Sequence, residues 1–275
     1  MPPRPLRLTA PATFVRVTLA WAGSLVLSPP PARADHCAPL TVTPAADDLH
    51  LGARLDFETA RYARPLVAGS WSGLATEVSG GWDRWQGRAA IGAYQLDHNG
   101  VIEGGLGDAG LELRLAALRR NRDGPVPAVV GPLLTVTLPT GDASGGFGMG
   151  HAMAMPGLWW SLPGDRLRAG GVVAYGRALA DPEGHHHGTG PILDPMNMSE
   201  LLASAGVDIG LAWQLRGLLT ATYAHPLVDD GAARGTGGVG LQWAGDRLRV
   251  SATVQLPLVG DAFQVRTVIG AGVQL

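Results

Sequence analysis

Histidine and methionine side chains are concentrated in two stretches of the sequence. Residues 184–198 read GHHHGTGPILDPMNM, with three consecutive histidines ahead of two methionines, and residues 149–155 add three methionines and one histidine. Imidazole suits copper, nickel and zinc, whereas the soft thioether favours Cu(I). The candidate metal ligands are His151, His185, His186, His187, Met149, Met153, Met155, Met196 and Met198.

Two interpretations of these stretches stay open. The ligand spacing matches no closed zinc motif, and Cys37 is the only cysteine, so neither an internal disulfide nor a two-cysteine site can form. A histidine-rich tract is compositional information. The stretches therefore form either a site for copper or another transition metal ion, or a solvated loop with methionines packed beside it. The choice depends on the elements that position them.

The N-terminus has the features of a secretory signal peptide. Arginines at 4, 7 and 16 flank or precede the apolar run 17–27, and Ala32-Arg33-Ala34 forms a small-x-small cleavage site. We therefore expect residues 1–34 to be removed and 35–47 to form a short periplasmic N-terminal segment.

The composition of the full chain excludes several classes. It has no run of about 18 apolar residues that could cross a bilayer as a helix. The formal charge of −2 gives no reason to expect nucleic-acid binding. Forty glycines in an exported chain with strand-like patterning favour either a soluble β-sandwich or an outer-membrane barrel.

Apolar and polar residues alternate with a period of two along most of the chain, as in residues 49–58 and 247–256. Most strand-like segments run about ten residues, the length that a tilted membrane-crossing strand needs. The even number of segments also fits a bacterial barrel. Twelve are predicted, near 48–58, 71–82, 85–96, 109–119, 128–138, 151–161, 166–176, 200–214, 217–225, 236–244, 247–257 and 262–275.

Loop lengths and aromatic residues favour the barrel over the sandwich. Short turns alternate with mostly longer loops, predicted at 59–70, 97–108, 139–150, 177–199 and 226–235. Aromatic residues are expected to form two girdles at the membrane interfaces. One comprises Trp82, Trp85, Trp159, Trp160, Trp213 and Trp243, and the other Phe57, Tyr62, Trp71, Tyr94, Tyr175, Tyr223 and Phe263. The predicted fold class is all-β: a transmembrane antiparallel up-and-down β-barrel of about 12 strands over residues 48–275, in the bacterial outer membrane.

The face that points away from lipid carries charges of both signs. Within a narrow barrel such charges should pair across the lumen. A barrel of this size is compatible with a polar passage or a filled lumen, and its charges with a structural network or a selectivity filter. The predicted lumen-lining residues are Arg54, Asp56, Glu58, Glu112, Arg114, Arg168, Asp208, Arg247, Arg249 and Arg266, with Glu77, Arg88 and Arg166 of the same parity.

Two motifs resemble a known family. GLGDAGLELRLAAL (105–118) contains Gly-x-Gly-Asp, and GPLLTVTLPTGDASGGFGMG (131–150) contains an apolar strand ending in Leu-Pro-Thr-Gly-Asp. Both resemble the outer-membrane family named for the meta-pathway of phenol degradation. The resemblance implies a barrel that admits small, often hydrophobic, molecules. The motif residues also suit turns at strand ends.

The sequence therefore predicts a passive channel for small, hydrophobic or aromatic solutes. Its expected partners are the outer-membrane lipid bilayer and a small-molecule solute, without nucleic acid and without a resident cofactor. The alternative is a barrel whose His/Met-rich loop binds a copper-type metal ion. An enzyme is not expected, because His225 has no evident serine partner and no Gly-x-Ser-x-Gly elbow occurs. The oligomeric state stays open.

Overall fold

The structure is a computed structural model. It describes residues 50–63, 68–119, 129–162, 164–179, 193, 196–227, 231–260 and 263–275. The predicted signal peptide, the segment 35–47 and Cys37 lie outside the described residues. Within the described ranges, no helix is long and apolar enough to cross a membrane.

β-Strands make up nearly all of the described chain. Their alternating side chains and the scarcity of helical periodicity favour extended backbone throughout. The strands are β1 (His50–Ala63), β2 (Ala68–Trp82), β3 (Trp85–His98), β4 (Val101–Leu106), β5 (Ala109–Leu115), β6 (Leu118–Arg119), β7 (Val129–Leu138), β8 (Met153–Leu162), β9 (Leu167–Ala178), β10 (Ser199–Ala212), β11 (Leu215–Pro226), β12 (Arg234–Ala244), β13 (Leu248–Val259) and β14 (Phe263–Gln274).

These strands form one closed antiparallel sheet. Outside β4–β6, each strand pairs with its neighbours along the chain, and β1 pairs with β14 from Gly52↔Gln274 to Tyr62↔Phe263, which closes the ring. β4, β5 and β6 occupy a single position in the wall: β3 pairs with both β4 and β5, and β7 with both β5 and β6. The result is a closed barrel of 12 strands, which confirms the predicted fold class.

The two barrel ends differ. The turn end holds both ends of the described chain and the short connections 83–84, 213–214 and 245–247. The opposite end, the loop end, holds the longer segment 139–152. Two of the loops expected there, 59–70 and 97–108, are largely strand. β3 and β4 join through Asn99-Gly100, whose φ angles of 52° and 88° match a two-residue hairpin turn that twists with its strands.

The outer face of the barrel is apolar and the inner face is polar. On β13, Val250 and Val254 are exposed, whereas Ser251, Thr253 and Gln255 between and beside them are buried. A soluble sandwich would bury the apolar set instead. Exposed apolar side chains around a closed wall are the arrangement that suits a lipid environment.

The two predicted aromatic girdles agree with the structure to different extents. At the turn end, Trp82, Trp85, Trp213 and Trp243 are exposed on the outer face as expected, but Trp159 is only 1% exposed and points into the lumen. Trp159 lies at an inward-facing position of β8. This parity, and not its closeness to a turn, determines the direction of its side chain.

At the loop end the predicted girdle is largely wrong. Phe57, Tyr175 and Tyr223 lie on the outer face. Four other aromatic residues are buried inside the barrel: Tyr62, Trp71, Tyr94 and Phe263. Trp71 and Tyr94 follow the inward parity. Tyr62 also has the inward parity of β1, whereas Phe263 turns inward because the β1–β14 register shifts at Arg61/Tyr62.

Val239 tests the lipid-facing assignment. It lies in the middle of β12 and is 58% exposed on the outer face. Val239→Arg should destabilise the barrel by about 2–4 kcal/mol, because it places a charge near the bilayer midplane. Urea unfolding in lipid vesicles measures the change. Val239→Leu is the matched control and should be close to neutral; equal stability of the arginine and leucine variants would contradict the assignment.

Candidate functional site

Ion pairs line the lumen from one end to the other. Near the turn end, Arg54 pairs with Asp56 at 2.7 Å, and Arg216 pairs with Asp208. Closer to the middle, Arg266 reaches Glu58 at 2.7 Å. Strand parity brings these groups to one face, and the closed wall then holds them close enough to neutralise each other.

A second group of charges forms a network at the centre of the wall formed by β2, β3 and β5. Arg88 bridges Glu77 at 3.3 Å and Glu112 at 3.2 Å, and Glu112 also pairs with Arg114 at 2.7 Å. The Arg114 guanidinium lies 5.6 Å from the ring centre of Trp159, a cation–π contact. The network therefore joins the polar lumen to the apolar packing beneath β7 and β8.

The structure places nine of the ten predicted lumen residues on the inner face. The tenth, Arg247, is exposed in the turn 245–247, outside the lumen. Arg166 is likewise exposed in a turn.

Sequence reasoning did not single out three buried polar residues near the loop end. Arg234 reaches Glu200 at 2.6 Å, and the backbone amide and side chain of Asn197 both donate to the same carboxylate. Arg234 is the first residue of β12, and Glu200 is the second residue of β10. Correct strand starts would therefore have shown from parity that both side chains face the lumen.

The segment 139–152 folds against the barrel wall and into the lumen. Its Phe147, Met149 and His151 are 3%, 2% and 3% exposed. β7 pairs with β5 only as far as Leu138, which lies opposite Ala109. The segment that follows β7 therefore lies beside β4, where a longer β7 would have paired. An expected surface loop is thus an internal element.

Asp108 anchors this segment. Its carboxylate accepts hydrogen bonds from the backbone amides of Gly141 at 2.9 Å and Met149 at 2.7 Å. Thr140 adds a further hydrogen bond between the segment and the barrel wall, because its hydroxyl donates to the carbonyl of Gly107 at 2.9 Å. Two glycines are needed for the close approach: a Cβ on Gly148 would lie 2.4 Å from Asp108 Oδ1, and one on Gly141 would lie 2.9 Å from the Gly148 Cα.

Apolar side chains fill the lumen at the loop end. Trp71 and Tyr94 meet edge to face with ring centres 5.7 Å apart, and Phe147 packs with them. Arg266 lies 5.5 Å from the Trp71 ring centre, so the apolar cluster ends where the ion pairs begin. The full cluster comprises Ala60, Tyr62, Trp71, Tyr94, Leu96, Phe147, Leu193 and Phe263.

Two cavities lie along the lumen of the described barrel. The loop-side cavity encloses about 1160 Å³ of empty space, including space open to solvent; Tyr94, Met155 and Leu202 form part of its apolar wall, and Glu58 and Arg88 part of its polar wall. The turn-side cavity encloses about 1130 Å³ on the same measure and has a more polar wall that includes Arg54, Arg168, Asp208, Gln242 and Arg249. The arrangement can hold a small molecule with one apolar and one polar side.

The described candidate metal ligands lie inside the barrel. Met149, Met153 and Met155 are buried, and Met196 and Met198 are half-buried. The two loops do meet: the backbone amide of Met196 lies 3.2 Å from the Met149 sulfur. His151 is also buried, whereas His185, His186 and His187 lie outside the described residues. Among the described residues, no three His, Cys, Asp or Glu side chains are placed to hold a metal ion.

A closed barrel with an apolar outer face and a partly filled polar lumen defines the class of transmembrane β-barrel proteins. No protein-family model and no curated protein sequence matches the chain. Solved structures do match. An outer membrane channel from Pseudomonas putida F1 is 9% identical with a TM-score of 0.64, over 87% of this chain and 100% of that one.

Two porins show the same likeness. The KdgM porin is 8% identical with a TM-score of 0.52, and the NanC porin 11% identical with a TM-score of 0.50. Each alignment covers 81% of this chain and 98% of the porin. At these identities the likeness shows a shared fold.

Asp108→Ala tests whether the Asp108 carboxylate holds the segment 139–152. The change removes two charge-assisted hydrogen bonds worth about 1.5–3 kcal/mol each, so the segment should leave its seat and its amides should exchange with solvent faster. Hydrogen exchange followed by mass spectrometry on the protein in detergent measures this.

Asp142→Ala is the matched control, since Asp142 is exposed and its side-chain bonds go to Ser144 in the same segment. Those bonds lower the pKa of Asp142 without reaching the wall. Equal protection of residues 139–152 in both variants would show that Asp108 does not anchor them.

Proposed function

We propose that this protein is an outer-membrane channel that lets small solutes cross passively. The observation that carries the proposal is the lumen itself: two cavities lie in series inside a closed wall, lined by ionisable and apolar side chains. The likeness to channel and porin structures supports it through the fold. The proposed location is the bacterial outer membrane, reached through a cleaved signal peptide.

The proposed solutes are small molecules with a hydrophobic or aromatic part. The loop-side cavity supports this choice, because Tyr94, Met155 and Leu202 provide apolar surface beside charged groups. Binding sites for such ligands are mostly apolar with a few placed polar groups. Catalysis forms no part of the proposal: His225 lies on the exposed side of β11, stacked on Tyr223 at 6.3 Å.

We propose further that the chain belongs to the family named for the meta-pathway of phenol degradation. The support is that its two motifs form one contact. Asp108 of the first motif binds the backbone of Gly141 and Met149 in the second. A shared structural reason for both motifs is a stronger basis for the assignment than either short motif alone.

Gly110→Phe tests the solute path. A Cβ at Gly110 would meet no atom within 4 Å, and the residue lines the loop-side cavity, so a phenyl ring can enter without displacing the wall. Single-channel conductance in planar bilayers should fall several-fold relative to the parent protein.

Leu113→Phe is the matched control, because Leu113 lies on the same strand with its side chain exposed on the outer face. Its conductance should equal that of the parent. A parent protein that gives no conductance would overturn the channel, and equal conductance in the two variants would remove the loop-side cavity from the path.

As a second function we propose that the methionine-rich region binds Cu(I) and serves metal handling or resistance. The specific support is that Met149 and Met196, from different loops, meet inside the barrel beside Met155. Thioethers are soft ligands that favour Cu(I), and His151 with the three histidines at 185–187 would supply imidazole.

Copper binding is tested with a Met149→Leu/Met196→Leu double variant, which retains apolar volume but removes two sulfurs. Competition against a Cu(I) chelator should show at least about tenfold weaker binding. A variant with His185, His186 and His187 changed to alanine separates the loop histidines from the buried thioethers. Unchanged Cu(I) affinity in both variants would exclude the site.

A further inference from the structure

Two arginines in the lumen differ from all the others. Arg168 donates to the backbone carbonyl of Gly164 at 3.2 Å, and Arg249 donates to the side-chain amide oxygen of Gln274 at 3.2 Å. Among the described residues, neither forms an ion pair with a carboxylate. The other inward-facing arginines of the barrel wall do: Arg54, Arg88, Arg114, Arg216, Arg234 and Arg266.

Both arginines line the turn-side cavity. Arg168 lies on β9 directly opposite Asp208 of β10, and Arg249 lies on β13. Arg54 and Asp208 line the same cavity, and Arg216 pairs with Asp208. These side chains therefore face one another across the same space.

Positive charge is in excess around this cavity. The carboxylates of Asp56 and Asp208 are already engaged by Arg54 and Arg216. Glu77, at the edge of the cavity, is engaged by Arg88. Within the described ranges, the guanidiniums of Arg168 and Arg249 are therefore left without a carboxylate of their own. A lumen with low-dielectric walls focuses such a field and concentrates anions within it.

The cavity wall also supplies neutral hydrogen-bonding groups. Ser79, Thr220, Gln242 and Thr253 line it beside the arginines. A guanidinium presents a planar fork of donors that matches a carboxylate, and hydroxyl or amide groups can complete the contacts of its oxygens. A hydrated cation would find two positive charges and no free carboxylate in the described wall.

We propose that the turn-side cavity binds the carboxylate group of the transported solute through Arg168 and Arg249. The solute class is a small organic acid with an apolar body, which fits the apolar wall of the loop-side cavity. This inference rests on the proposed channel function and names the class of solute that the channel carries. Charge selectivity arises at the turn end, where the uncompensated arginines lie.

Reversal potentials in planar bilayers under a salt gradient test the charge selectivity. The parent protein should prefer chloride over potassium, and Arg168→Gln/Arg249→Gln should bring the permeability ratio close to one. Arg166→Gln/Arg247→Gln is the matched control: it removes the same charge two residues away on the same hairpins, from exposed turns outside the lumen. That control should keep the parental ratio.

Ligand binding tests the carboxylate directly and does not depend on conduction. Isothermal titration of detergent-solubilised protein with benzoate should show binding that weakens by about tenfold for each guanidinium removed. Benzamide has the same ring without the charge and should bind weakly and equally to all variants.

The outcomes separate the two proposals. Failure of the parent protein to conduct overturns the channel, and the titration then decides the carboxylate site alone. Conduction with cation preference, or a permeability ratio unchanged in Arg168→Gln/Arg249→Gln, overturns the selectivity. Equal benzoate and benzamide binding overturns the carboxylate site.

Discussion

Closure of the sheet is the constraint on which the rest of this structure depends. Backbone N–H and C=O groups inside a bilayer have no water to bind, so every strand edge must be paired. The antiparallel seam between β1 and β14 satisfies this requirement by removing both edges. Closure also fixes two environments, because alternate side chains then face either lipid or an enclosed lumen. The apolar outer face and the charged inner face follow from that single geometric condition.

The enclosed lumen makes its charges depend on one another. Isolated charges in such a space are costly, and most of the inward arginines meet a carboxylate. Arg266 and Arg114 in addition lie over Trp71 and Trp159, where the ion-pair network meets the apolar clusters. Arg168 and Arg249 are different, because among the described residues they donate to a carbonyl and an amide oxygen and pair with no carboxylate. This excess of positive charge at one level of the lumen is the basis of the proposed charge selectivity.

The sequence predicted the wall well because strand parity is a local property. Alternation along residues 49–58 placed Arg54, Asp56 and Glu58 on the inner face, where they lie in the structure. The prediction for Trp159 was wrong because it used closeness to a turn. The parity of β8 alone would have placed this side chain in the lumen. Phe263 could not be placed correctly, since a register shift against Arg61 and Tyr62 reverses its side and nothing local in the sequence marks that shift.

The inward fold of residues 139–152 was beyond local reasoning for a different physical reason. It depends on hydrogen bonds between Asp108 and amides more than thirty positions away in the chain. Glycine-rich polar segments are usually exposed, and only a long-range acceptor makes this one internal. The motifs at 105–118 and 131–150 contain the residues of this contact, but each on its own suits a turn at its strand end.

The order of environments along the barrel axis gives the proposed path a direction in chemical terms. An apolar cluster lies at the loop end, a cavity with mixed walls follows, and the surplus of arginine charge lies near the turn end. An organic acid that leaves water loses the hydration of its carboxylate, which is costly, while removal of its apolar part from water is favourable. On the proposed path, burial of the apolar part against Tyr94 and Met155 would favour the first stage, and guanidinium hydrogen bonds would replace the carboxylate's water at the second. Because the two interactions are separated in space, neither would hold the whole solute tightly. Such weak binding at successive sites is what passage through a channel requires.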